Sequence, residues 1–236
     1  MLRIITDFDG PIMDVSQRYY QVYQYCLETI RLPHQAIRPL TKAEFWRCKR
    51  AQIPEREIGQ RSGLDIEQAK AFARLRRDTV HTLPYLIYDR PLTGAIAALE
   101  RIQAAQIDLA VMTMRRDREL KAALEQHGLE HFFPPAKRYC LSDDYVKQTD
   151  VKDKPLLMQQ ALADLPARAN VWMIGDTEAD IIAAQQFGIP VVAVLSGIRD
   201  RDRLAAHQPS FIVPDLGAAV DLILQQALPT KVGCSQ

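Results

Sequence analysis

Three places in this 236-residue chain set acids or a hydroxyl directly after a short apolar run. Residues 2–6 lead into Asp7-Phe8-Asp9-Gly10, residues 107–112 into Thr113-Met114-Arg115, and residues 171–174 into Gly175-Asp176, with Asp180 four positions on. If the apolar runs are parallel strands, these residues share the carboxyl edge of one sheet, where open α/β sheets hold their sites. Aspartates gathered there are costly unless a cation compensates them, and hard oxygen donors suit magnesium. With Asp7, Asp9, Asp176 and Asp180 ionised, the pocket carries four negative charges, which one Mg²⁺ and one lysine reduce to a single one. Lys154 is the expected lysine, ahead of Lys147 and Lys152, because Pro155 suits a first helical position and would fix Lys154 at a helix start. Ordinary uses compete: Asp7 and Asp9 as solvated turn acids, Thr113 as a strand-end hydroxyl, Asp180 as a first-turn helix acid. An aspartate pair closing a buried strand demands compensation, which argues against the first of these.

The elements that must position these groups follow from periodicity. Further apolar runs at 191–195 and 211–213, and another at 139–141, read as strands. The intervening stretches 93–105, 118–126, 154–166 and 180–187 read as helices, two of them stopped by Gly128 and Gly188. Continuous apolar strands alternating with helices predict a doubly wound, Rossmann-like α/β fold with a parallel sheet covered on both faces. Residues 15–88 break this rhythm. Tyr19, Tyr20, Tyr23, Cys26, Leu27 and Ile30 recur at helical spacing, with Ser16 as N-cap, and helical stretches follow near 42–49, 54–61 and 65–80. The expected organisation is a core of residues 1–14 and 89–236 with a small helical cap inserted at 15–88. Asp14 reads as a cap or hinge residue, and 229–236 as a loose tail.

In order, Asp7-x-Asp9-Gly10, Thr113, Lys154-Pro155 and Gly175-Asp176-x-x-x-Asp180 resemble the four motifs of the haloacid dehalogenase superfamily. The core resemblance spans roughly residues 1–14 and 90–220. The inserted helices resemble the cap of members such as phosphoglycolate phosphatases and β-phosphoglucomutases. The resemblance implies that Asp7 is the nucleophile, forming an aspartyl-phosphate. Asp9 would then protonate the leaving group and activate water, a task that calls for a raised pKa, supplied by the neighbouring carboxylates. It further implies Mg²⁺ held by Asp7, Asp176 and the backbone carbonyl of Asp9, with Asp180 nearer the second shell, and phosphoryl oxygens held by Thr113 and Lys154. Pro11 and Met114-Arg115 depart from the usual pattern, and Arg115 is expected near the pocket mouth as a substrate contact. The implied activity is that of a phosphatase acting on a small phosphorylated metabolite. The alternatives are a phosphomutase and a catalytically silent binding module on the same fold.

Composition excludes more than it selects. The formal net charge of +1 gives no global attraction to nucleic acid or to an acidic membrane. No apolar run approaches the ~20 residues of a membrane helix. Four scattered cysteines without a CxxC pair suggest a reduced, cytoplasmic protein. Charge is uneven along the chain. Residues 15–88 hold thirteen Lys and Arg against seven Asp and Glu, a net of +6, and the remaining seventeen and twenty-two net −5. A basic lid over an anion site would favour this division, and residues 42–61, with Phe45 and Trp46, are its densest part.

Overall fold

The computed structural model describes residues 2–227, so the expected tail lies outside the described residues. Six strands form one parallel sheet: β1 (Leu2–Thr6), β4 (Asp108–Arg116), β5 (Arg138–Leu141), β6 (Asn170–Gly175), β7 (Val191–Val194) and β8 (Phe211–Val213). Their spatial order is β5-β4-β1-β6-β7-β8. The chain therefore leaves central β1 for one side and returns to its other flank, which opens a crevice at the carboxyl ends of β1, β4 and β6.

Alternation along each strand feeds two cores. Ile4, Val111, Ile174 and Val192 pack with α6 (Ala95–Ala104), α7 (Asp117–His127) and α11 (Leu216–Ala227) on one face. Ile5, Met112, Met173 and Val191 pack with α8 (Asp150–Asp164) and α9 (Glu178–Gln186) on the other, while α10 (Arg201–Ala205) adds Leu204 at the edge. Strands buried on both faces have no polar side to alternate with, which is why they read as unbroken apolar runs.

Between β1 and α6 the chain makes α1 (Ser16–Ile30), α2 (Lys42–Arg50), α3 (Glu55–Arg61), α4 (Ile66–Thr79) and the single turn α5 (Leu83–Leu86). These helices share a separate apolar cluster. Tyr23 is its centre, stacked on Phe45 at 4.6 Å and meeting Phe72 edge-on at 6.1 Å between ring centroids. The two passages between core and cap run side by side as an antiparallel ribbon, β2 (Met13–Asp14) against β3 (Arg90–Pro91).

Three local expectations are corrected. Ser16 does not cap α1; the Asp14 carboxylate accepts the Ser16 N–H at 2.8 Å, so the hinge acid does that work. The α8 helix begins at Asp150, not beside Pro155, because Thr149 caps it by accepting from Lys152 N, which leaves Pro155 inside the helix and Lys154 in its second turn. Lastly, β4 does not stop at Met112 but runs to Arg116 with a register shift against β5 after Met112, carrying Thr113 and Arg115 within the strand.

Candidate active site

Asp7 continues the line of β1, its N–H donating to Ile174 O of β6 at 2.8 Å. One carboxylate oxygen accepts from Phe8 N at 2.6 Å and the other accepts from Lys154 Nζ. Lys154 also pairs with Asp180 Oδ1 at 2.5 Å. The second oxygen of Asp180 takes the N–H groups of Asp176 and Thr177 at 3.2 and 3.1 Å and the Thr177 hydroxyl at 2.7 Å. Asp180 thus braces the turn that presents Asp176 and holds Lys154 against Asp7. Asp176 accepts from Ile198 N at 2.6 Å. Room for it comes from two glycines: a Cβ at Gly10, whose φ is +93°, would lie 2.3 Å from Asp176 Cγ, and one at Gly197 would lie 1.8 Å from its Oδ2. Neither position tolerates a side chain while Asp176 stays put.

Oxygens of Asp7, Asp176 and Asp180 lie within 4.8 Å of one another. Three carboxylates facing one ammonium leave two uncompensated negative charges, the charge of a single divalent cation. The electrostatics record the imbalance. Burial pushes the Asp7 carboxyl up to about 7 against the pull of Lys154. Burial, with Asp7 and Asp180 alongside, raises Asp176 well above the ordinary range. For Lys154 burial opposes the charge, but Asp180 and Asp7 outweigh it and raise the ammonium above the usual lysine range. An all-oxygen donor set of this charge fits Mg²⁺.

Asp9 lies apart from that cluster, and the expectation of a raised pKa is overturned. Burial does push it up, but Arg115 and Arg18 dominate and hold it at about 2. The clustered aspartates act on Asp7 and Asp176, whereas Asp9 turns its carboxylate to two guanidinium groups. Arg115 donates from Nε to Asp9 Oδ1 at 2.8 Å, and Arg18 donates from Nη2 to Oδ2 at 2.9 Å. Nor does Arg115 stand at the pocket mouth. It is 2 % exposed, its guanidinium over the Phe8 ring, and it also pairs with buried Asp89. It lines the pocket from within, beside Asp9, with its charge held by its two anions.

The pocket, about 90 Å³, has Asp7, Thr113, Lys154 and Asp176 on the core side and Tyr19 and His81 on the cap side. The densely basic stretch of the cap does not reach it. Lys49 pairs with Glu55, Arg50 donates to Arg199 O at 3.2 Å, Arg47 is exposed, Phe45 belongs to the cap core and Trp46 stacks edge-on against Tyr19 at 6.0 Å. Lys49 and Arg61 serve cap-internal pairing, and Arg50 docks onto the loop after β7. Sequence reasoning missed Arg18, His81 and Asp89. Arg18 carried a signal, since it falls in phase with Val15, Val22 and Cys26 on the buried face of α1. Asp89 and His81 lie in irregular chain, where no period marks them.

Comparison with known proteins places the chain in a family. The family model described as haloacid dehalogenase-like hydrolase matches residues 4–194. The chain is 26% identical to a phosphoglycolate phosphatase of Synechococcus elongatus over 96% of its own length and 100% of that protein's. It is also 26% identical to one of Mesorhizobium japonicum, over 91% of each chain. A solved haloacid dehalogenase-like family hydrolase from Streptococcus pneumoniae superposes with a TM-score of 0.68 at 19% identity, covering 94% of this chain and 98% of that one. A family match that runs from β1 through the whole cap to the end of β7 leaves one assignment: the chain belongs to the haloacid dehalogenase-like hydrolases.

Proposed function

We propose that this hydrolase is a Mg²⁺-dependent phosphatase that hydrolyses a small phosphomonoester through an aspartyl-phosphate on Asp7. The observation that carries the reading is the division of the carboxylates. Asp7, Asp176 and Asp180 share Lys154 and need a divalent cation, while Asp9, two residues from the nucleophile, is compensated separately by arginine. In the first half-reaction an Asp7 oxygen attacks phosphorus, the ester P–O bond breaks, and the leaving oxygen takes a proton from protonated Asp9. In the second, water attacks the phosphoryl group, Asp9 takes its proton, and the bond to Asp7 breaks to release phosphate. As gripped here, Asp9 suits the second step; protonating an alkoxide in the first requires the grip to loosen. Lys154 and the Thr113 hydroxyl hold phosphoryl oxygens and offset the charge that develops on them. Asp7, Asp176 and the backbone carbonyl of Asp9 would hold Mg²⁺, with Asp180 braced behind them, and the ion supplies positive charge to the phosphoryl oxygens. Several relatives are named phosphoglycolate phosphatases, so 2-phosphoglycolate heads the substrate panel. A cytoplasmic setting belongs to the same proposal, supported by the free thiols Cys26, Cys48 and Cys140.

The test is release of inorganic phosphate from p-nitrophenyl phosphate and from a panel of small phosphate esters. Activity should appear with Mg²⁺ or Mn²⁺, vanish in excess EDTA, and be inhibited by Ca²⁺, whose longer bonds and larger coordination number set phosphorus out of line with Asp7. Undiminished turnover in EDTA would remove the metal from the reading.

Metal binding should also show in stability. Asp7 and Asp176 must ionise to ligate, and both are raised in the metal-free protein. The rise in Tm produced by millimolar Mg²⁺ is therefore expected to be larger at pH 8 than at pH 5.5, because at the lower pH protons compete for the same oxygens. Thermal scans at the two pH values check this; equal shifts would contradict it.

A further inference from the structure

Arg18 belongs to the cap, yet its guanidinium lies in the core. It stands in the first turn of α1 and is 0 % exposed. Nη2 donates to Asp9 Oδ2 at 2.9 Å and Nε lies 3.1 Å from Asp89 Oδ1. Arg115 approaches from the end of β4, with Nε and Nη2 at 2.8 and 2.7 Å from Asp9 Oδ1, and its Nη2 pairs with Asp89 Oδ2. Two arginines and two aspartates thus alternate around a closed, neutral ring. Its four members come from the loop after β1, the first cap helix, the return passage just before β3, and β4. Nη1 of Arg18 and Nη1 of Arg115 have no hydrogen-bond partner, and Arg18 Nε and Asp89 Oδ1, though 3.1 Å apart, meet as an ion pair without a hydrogen bond. A ring kept for stability alone would satisfy those donors, and buried ion pairs contribute little net stability in any case.

An aspartate carboxylate can turn about two side-chain bonds. Arg115 alone, holding Oδ1, fixes one point and leaves the plane free to pivot. Arg18 takes the other oxygen from a different element, and two anchors on separate elements set both position and plane. Because Arg18 lies at the start of the inserted cap whereas Arg115 lies in the core, movement of the cap about the β2–β3 ribbon moves the second anchor relative to the first.

We propose that Arg18 is a positioning residue: the docked cap presents it to Asp9 and so orients the Asp9 carboxylate, with Asp89 holding Arg18 in place. The inference rests on the acid–base reading of Asp9, and the experiment separates the two. Arg18→Met, Arg18→Lys and Asp89→Asn are compared with Asp9→Asn on p-nitrophenyl phosphate and on a simple alkyl phosphate. Mg²⁺-dependent beryllium fluoride binding at Asp7 reports an intact nucleophile site. The gripped carboxylate serves the water-activating step, which is the same for both esters. The expected result for Arg18→Met is therefore a fall in kcat of about 10- to 100-fold on both, with a burst of nitrophenol before slow turnover and little change in KM or in beryllium fluoride binding. Arg18→Lys, which restores the charge without the fork, should recover part of the loss, and Asp89→Asn should lose kcat in the same sense but less. If Arg18→Met does not fold, Arg18→Lys and Asp89→Asn carry the same comparison. Wild-type or increased kcat in the folded variants, or slowed turnover without the nitrophenol burst, with Asp9→Asn still discriminating between the esters, would overturn the inference alone. If Asp9→Asn itself fails to discriminate, the acid–base reading falls and this inference with it.

Discussion

Asp7→Asn is expected to lower kcat by at least about 10³-fold while leaving the protein folded, since it exchanges the attacking oxygen for an amide of the same volume. The same substitution should stabilise the metal-free protein. The folded Asp7 carboxyl stands at about 7, above its unfolded value of 3.8, so its contribution to stability is complete below pH 4 and is lost as pH rises through 7. Asparagine undergoes no such loss. The difference in Tm between variant and wild type in EDTA should grow from pH 4 to pH 7 and then level off. A variant that is slower but no more stable at pH 8 would mean that Lys154 compensates Asp7 fully and that no charge is left for a metal to neutralise.

Lys154→Met is expected to act on both activity and stability. The ammonium is buried and pairs with Asp7 and with Asp180 at 2.5 Å, so its loss leaves a group of buried carboxylates unopposed. Removing one partner from a buried ion pair costs about 3–5 kcal/mol. Denaturant unfolding in EDTA should show a loss of that order at pH 8. The loss should shrink toward pH 5, because protonating Asp7 and Asp176, both already raised, removes the repulsion that Lys154 had balanced. Turnover should be lost at every pH, since the cation on the phosphoryl oxygens is gone. A deficit independent of pH would point to lost packing around the lysine stem instead of lost charge.

Much of this was legible in the sequence where one-dimensional pattern and burial coincide. The strands showed because both faces of each are covered, so every residue of Ile4-Ile5 or Val191-Val192 is apolar and no alternation dilutes the run. The acids at strand ends showed because topology delivers strand ends to one edge. The ribbon strands β2 and β3 did not show, being two residues each, too short for any period. The α8 start was misread because Pro155 has a strong preference for a first turn, and the weaker signal of Thr149 six residues earlier in fact caps the helix. The state of Asp9 was misread for a different reason. Its governing partners stand nine and 106 residues away, and a buried arginine in a tyrosine-rich helix looks from sequence like any solvated cation. Charge neighbours that arise from folding leave no local trace, so electrostatic roles were harder to read than positions.

The ribbon has a consequence for how such a protein can be altered. Asp14 pairs directly with Arg90, so the chain enters and leaves the cap at adjacent points, a gap that a two-residue hairpin turn closes. The intervening segment is thus a cassette: Asp7, Thr113, Lys154, Asp176 and Asp180 all lie outside it, and their mutual contacts do not pass through it. A different lid spliced between residues 14 and 90 would meet an unaltered phosphoryl site. It would also have to bring its own counterpart to Arg18, because the one charge in the grip on Asp9 that travels with the cassette is the one the exchange removes.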